Sequence, residues 1–274
     1  MIESIGIMQG RLLPKFQGRY QAHPVGYWQK EFEIAKNLDL GLIEFILDFN
    51  NFEINPLMTM QGLREIKALV DHTGVTVKSV CADYFMEAPL HSENLVIGEK
   101  SSLVLKQLIR NGAILGITDI VIPCVEQASL KNIEDQVRLV NKLTPLLDEA
   151  EKYNINLALE TDLGPKPFLE LLNMFDSERI KVNYDTGNSA SLGYDSLEEF
   201  ACYGDKISDI HIKDRQLGGG SVPLGSGDTD FNSFFTALSK IDYKGIFIMQ
   251  VYRDDEGVDI FKRQFNWFKD LLKQ

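Results

Sequence analysis

Eight short apolar runs recur along the chain, each followed by polar loop residues and then by a stretch in which apolar side chains return at helical spacing. The runs cover residues 4–8, 42–47, 75–81, 119–124, 156–160, 180–185, 207–211 and 245–250. Between them Trp28, Phe32, Ala35 and Leu38 keep a helical period up to Gly41, and residues 57–72 do so up to Gly74. Further helices are expected over 93–115, 130–153, 167–175, 197–203 and 231–241. In the helix over 130–153, Val137, Val140, Leu143, Leu147 and Ala150 form the core face. Phe261, Phe265, Phe268 and Leu272 stripe the last helix. Pro123 belongs at a strand end, because proline cannot donate within a ladder.

Strand and helix alternating eight times predicts a parallel sheet with helices outside it, and the count favours closure into a (β/α)8 TIM barrel. No stretch of linker composition interrupts the alternation, so residues 1–274 read as one domain. An open doubly wound sheet is the alternative. Against it, no GxGxxG follows the first strand and no Walker sequence is present.

Composition narrows the partners. A chain that is 44% hydrophobic and 25% charged has apolar surface enough for a large core, and its net charge of -12 disfavours nucleic acid. The three cysteines are widely spaced and form no CxxC pair, which fits reduced thiols in the cytoplasm. The N-terminus lacks a basic leader region and no apolar run reaches membrane-spanning length, so no membrane association is expected.

The last four runs each end in a residue able to ligate a metal: Glu160, Asp185, His211 and Gln250. Their separations of 25, 26 and 39 residues keep phase with a strand, a helix and two loops. In a barrel all four therefore fall at the C-terminal ends of the strands, where active sites lie. Singly each has a plain structural reading: a strand-end acid as a cap or ion-pair partner, a lone histidine as a hydrogen-bonded core residue. In conjunction they make an oxygen and nitrogen site without thiolate. It suits one divalent metal ion (manganese, magnesium, cobalt or zinc), and the residues do not choose among these. Such a site polarises a carbonyl or hydroxyl, and a neighbouring carboxylate can then take a proton from carbon.

The motifs Leu159-Glu-Thr161, Tyr184-Asp-Thr-Gly-Asn188 and Asp209-Ile-His-Ile-Lys-Asp214 resemble those of the xylose isomerase-like barrels, which include sugar and sugar-phosphate isomerases and epimerases. Ile5-Gly-Ile-Met-Gln-Gly-Arg-Leu12 and Ser221-Val-Pro-Leu-Gly-Ser-Gly-Asp228 are similar to a subgroup associated with bacterial surface-polysaccharide sugars. The resemblance implies that Glu160, Asp185 and His211 bind the metal, that Glu160 is a base, and that the partner is a small sugar or sugar phosphate. Related barrels assemble as homo-oligomers, which these residues do not decide. In the family's epimerases the strand-eight position is a second glutamate. Gln250 can offer a carbonyl oxygen to a metal, but an amide is no general base.

Three readings follow from that difference. Glu160 alone could isomerise an aldose and a ketose on one face. Another group among Glu44, Glu87, Glu126 and Lys213 could act as the second acid or base. Or the barrel could bind metal and sugar without turnover. A sugar or cyclitol dehydratase is a near rival, since it too starts with proton abstraction. A metal-dependent phosphodiesterase or abasic-site endonuclease, which shares the barrel, needs more histidines than the four present.

For substrate contacts the sequence offers Arg11, Glu44, His91, Asn188, Lys213 and Arg215, with ion pairing and helix capping as their plain alternatives. Tyr84, Phe85, Trp28 and Tyr252 could wall a sugar face, although Trp28 fits the helical stripe. The glycine-dense loop 218–228 reads as a lid or as a backbone nest for an anion.

Overall fold

The computed structural model describes residues 5–254 and 257–273. Its strands are β1 (Ile5–Met8), β2 (Leu42–Ile46), β3 (Ser79–Cys81), β4 (Asp119–Cys124), β5 (Asn156–Thr161), β6 (Ile180–Asp185), β7 (Ile207–Ile212) and β8 (Ile246–Met249). They pair in sequence order, all parallel, and β8 closes on β1. The expected barrel is therefore present.

Alternation along the strands divides the apolar residues into two cores. Met8, Leu42, Ile46, Cys81, Val121, Ala158 and Ile248 form a small cluster inside the barrel. The larger cluster lies between the barrel and the helices. In β7 the intervening residues Asp209 and His211 share the inner face while Ile210 and Ile212 pack outward. A one-residue register shift on β7 pairs Val182 with Ile207 but Asn183 with Asp209, and so sets Asp185 level with His211.

The helices are α1 (Lys30–Asn37), α2 (Met60–Thr73), α3 (Tyr84–Glu87), α4 (Leu95–Leu115), α5 (Ile133–Tyr153), α6 (Pro165–Leu172), α7 (Thr186–Leu192), α8 (Ser196–Tyr203), α9 (Phe231–Leu238) and α10 (Val258–Leu271). Thr59 caps α2, Asn94 caps α4 and Asn132 caps α5 through side-chain oxygens, which sets starts that apolar spacing alone puts two or three residues off. The third strand is shorter than expected: only Ser79–Cys81 join the ladder, though Val75 and Val77 are buried. On α5 the core face is Leu139, Leu143, Leu146, Leu147 and Ala150, and Val137 points to solvent. Helix α7 follows Asp185 without a loop, too short to show an apolar period. Pro123 stands next to last in β4, beside Glu160.

The β1–α1 connection, residues 9–29, is held to the barrel by buried polar side chains. Gln9 Oε1 accepts from the Ile46 N–H at 3.0 Å and lies 3.1 Å from His23 Nδ1. That oxygen can only accept, so His23 Nδ1 donates. The ring packs among Trp28 and Phe45, and burial lowers its pKa from 6.5 to about 4. Between those values the unfolded chain binds the proton and the fold does not, so this contribution to stability is complete above pH 6.5 and is lost on acidification. From pH 7 to 5 it should fall by about 2 kcal/mol. His23→Asn should be less stable at pH 7 yet lose less on acidification. Urea unfolding at both pH values, compared as the difference between wild type and variant, measures this.

Candidate functional site at the barrel mouth

Strands β5, β6 and β7 bring Glu160, Asp185 and His211 together, with one ligand atom from each lying within 4.8 Å of the others. All three are buried, His211 completely. Asp185 is placed by its own local structure: its carboxylate caps α7, with Oδ1 accepting from the Asn188 N–H at 2.8 Å. Its Oδ2 lies 3.5 Å from Lys213 Nζ, an ion pair from the adjacent strand end.

The protonation of His211 follows from its neighbours. The Asn183 amide nitrogen sits 3.1 Å from both Glu160 Oε2 and His211 Nδ1, and an amide N–H2 only donates. Nδ1 therefore carries the lone pair and faces the two carboxylates, while Nε2 carries the proton. Nε2 lies 2.9 Å from Glu44 Oε1, out of line with the ring N–H, so the contact is electrostatic more than a formed hydrogen bond. Behind Glu44 stands Asp209, and neither carboxylate is exposed or meets a well-aligned donor. Burial raises Glu44 to about 7 and raises Asp209 well above the ordinary carboxylate range, so the pair retains a proton near neutrality.

Glu160 is likewise raised to about 7, by burial first and then by the Asp185 charge. Its oxygens accept from Asn183 and, at 2.6 Å, from the Asn188 side chain. The cluster thus holds buried carboxylates with Lys213 as a partial counter-charge, and a divalent cation fits such a donor set chemically.

Gln250 belongs to a second network. Gln21 Oε1 is 3.1 Å from Arg11 Nη2 and 3.0 Å from Gln250 Nε2. Arginine only donates, so this atom of Gln21 is its oxygen, and Gln250 must present its N–H2 to it. The amide oxygen of Gln250 is then left buried without a partner, the disposition of a ligand oxygen. The Gln21 Nε2 donates onward to Asp83 Oδ2 at 3.2 Å. Burial lowers Arg11 to about 10 although Asp83 and Asp185 oppose the shift.

A cavity of about 720 Å³ opens over these groups. That volume is ample for a monosaccharide or its phosphate. Glu160, Asn188, Lys213 and Gln250 line it, as do Asp83 and Phe49. The other expected contacts are distributed differently. Arg215 stands behind Asn188, donating to its Oδ1 at 2.8 Å and to the Gly219 carbonyl. Arg11 braces Gln21, and Glu44 lies beneath His211 inside the barrel. His91 is buried away from the cavity, and its carbonyl accepts from Arg138. Tyr84 and Phe85 pack into the outer core, and Trp28 packs on Phe32 and Phe45. Asn183 was legible in principle, two residues before Asp185 on the same strand face. Gln21 sits in a loop without any periodic signal.

The chain belongs to the Xylose isomerase-like TIM barrel family, whose profile matches residues 32–271. Among its relatives is the L-ribulose-5-phosphate 3-epimerase UlaE of Escherichia coli O1:K1 / APEC, 24% identical over 262 residues that cover 91% of this chain and 92% of that one. Among solved structures, the D-allulose 3-epimerase from Methylomonas sp. in complex with D-allulose superposes with a TM-score of 0.77 at 17% identity, covering 98% of this chain and 97% of that one. The 3-keto-D-glucoside 4-epimerase YcjR from E. coli gives 0.75 at 15% identity, covering 97% and 99%.

The glycine-dense loop is a backbone nest, and its anion is the chain's own. Asp214 is fully buried; its oxygens accept from the Gly225 and Gly227 amides at 2.9 Å and from Thr229 at 3.1 Å. At Gly227 a Cβ would lie 2.3 Å from Asp214 Oδ1, so no other residue fits against the carboxylate. Asp214→Ala should destabilise the protein by about 3 kcal/mol through the amides left unpaired. Denaturant melts report the loss, and hydrogen exchange should show it concentrated in residues 218–229.

Proposed function

We propose that the protein is a divalent-metal-dependent epimerase or isomerase of a sugar or sugar phosphate. The observation that carries this reading is the meeting of Glu160, Asp185 and His211 Nδ1 in a buried cluster that reaches a sugar-sized cavity through Glu160, in a chain whose relatives are named as sugar epimerases. Those names favour epimerisation over dehydration and over binding without turnover. A metal held by Glu160, Asp185, His211 and the oxygen of Gln250 would supply Lewis acidity toward the substrate's carbonyl and hydroxyl oxygens.

The remaining roles belong to the chain. Glu160 takes the proton from the carbon next to the carbonyl, as a carboxylate on the cavity wall can. Asn188 holds Glu160 and is itself held by Arg215 from behind and by Lys213, the cation on the wall where a substrate hydroxyl or phosphate would lie. Glu44 positions His211 from below. The net charge of -12 and the absence, among the described residues, of any helix long and apolar enough to cross a membrane accord with a small-molecule substrate. Three free cysteines accord with a cytoplasmic setting.

Incubation with a panel of ketoses and their phosphates in deuterated water, followed by NMR, should show solvent deuterium entering carbon as epimers or isomers form. Glu160→Gln should reduce that rate by about 10²–10⁴. A panel left unlabelled by the metal-loaded protein would refute the reading. Calorimetric titration with manganese or cobalt gives an independent test. Gln250→Glu should bind more tightly because it adds a charge, and Glu44→Gln about 10-fold to 100-fold more weakly because His211 loses its carboxylate. Unchanged affinity in Gln250→Glu would exclude Gln250 as a ligand.

A further inference from the structure

Epimerisation inverts a carbon, so a proton must leave one face and arrive on the other, and Gln250 cannot deliver it. We propose that Asp83 is the acid–base group for that second face, an inference that rests on the epimerase reading above.

The cavity wall carries five carboxyls: Asp48, Asp83, Glu87, Glu126 and Glu160. Asp48 is occupied, with Oδ1 paired to Arg19 at 3.0 Å and Oδ2 accepting from the His23 N–H at 2.7 Å. Glu87 and Glu126 stand at the exposed rim. Asp83 is different. Its Oδ1 accepts from the Cys81 thiol at 3.2 Å and its Oδ2 from Gln21 Nε2 at 3.2 Å, both neutral donors at long range. Among the ion pairs of the described residues none joins a lysine or arginine to Asp83, in contrast to Asp48 and Asp185.

Position supports the assignment. Glu160 is held by Asn183 and Asn188, on the β6 side of the mouth. Asp83 follows β3, two strands round the barrel from Glu160 on β5, and is held by Gln21 of the β1–α1 connection, so the two carboxyls reach the cavity from different strands. Through Gln21 it shares one hydrogen-bonded chain with Gln250, the amide that cannot titrate. Burial is the largest influence on the Asp83 carboxyl and raises its pKa; Asp48 raises it further, while Cys81, Gln21 and Arg19 oppose.

The step balances without a further reactant. Glu160 carboxylate removes the hydrogen as a proton, the C–H pair becomes the C=C bond of an enediolate, and the carbonyl π pair moves to oxygen. Protonated Asp83 then donates to the same carbon from the opposite face, the C–H bond re-forms inverted and the carbonyl is restored. Asp83 is left as carboxylate and Glu160 as acid, ready for the reverse epimer or for reset by water.

The test uses the full-length metal-loaded protein with L-ribulose 5-phosphate and D-allulose in deuterated water, reading by NMR both hydrogen exchange at the stereocentre and epimer formed. Asp83→Asn should keep exchange within about threefold of wild type, because Glu160 returns deuterium to the face it deprotonates, while epimer formation falls about 100-fold or more. Glu160→Gln should lose both. Asp83→Ser gives the same readout should the asparagine variant fail to fold. Epimer formation at the wild-type rate in these variants would overturn the role of Asp83, as would parallel loss of exchange and epimer with an unchanged melting temperature. Exchange without epimer in the wild type would overturn Asp83 alone. No exchange by the wild type on either sugar would overturn the epimerase reading and Asp83 with it.

Discussion

The site depends on holding several carboxyl groups out of water around one buried imidazole, with Glu44 2.9 Å from His211 Nε2 and Glu160 4.0 Å from Nδ1. Asp209, Glu44, His211, Glu160 and Asp185 form a continuous buried column from the barrel interior to its mouth. Desolvation penalises every charge in it, which is why Glu44, Asp209 and Glu160 are all shifted toward their protonated forms. A column of this kind carries a standing demand for positive charge, and Lys213 meets it only at the edge. A cation at the top would be held by that demand as much as by ligand geometry.

The second constraint is directional. Arginine can only donate, and this single fact propagates through Gln21 to fix the orientation of Gln250 and the donor presented to Asp83. A residue outside the cavity lining thereby decides which atom of Gln250 faces the site. The same logic runs from Asn183 through His211: a donor that cannot accept determines where the ring proton sits, and hence which nitrogen is free to ligate.

Stability and chemistry are divided along the barrel axis. The layer between barrel and helices is mostly apolar, with a few satisfied polar groups such as Glu199 and Ser101, whereas the interior gives up apolar volume to Glu44, Asp209 and Ser79. The loop after β7 follows the same economy of partners, since its glycine amides are spent on Asp214 and not on a ligand anion. Its glycines serve close approach to that carboxylate and to Trp267.

The alternating pattern was sufficient for the closed barrel, because period-2 and period-3.6 runs are local and their repetition leaves few topologies. It was sufficient also for Glu160, Asp185 and His211, since strand ends in phase with the repeat return to one rim. Helix starts, the outward turn of Val137 and the single-turn elements were not legible, because capping and packing choose among faces that spacing leaves equivalent. Nor were Gln21 and Asp83: Gln21 meets Gln250 from 229 residues away and Asp83 from 62. Sequence alone determined which residues could ligate and roughly where. Only the tertiary structure decided which nitrogen of His211 faces Glu160, which atom of Gln250 is left without a partner and which donor meets Asp83, because hydrogen-bond direction depends on partners that no local period encodes.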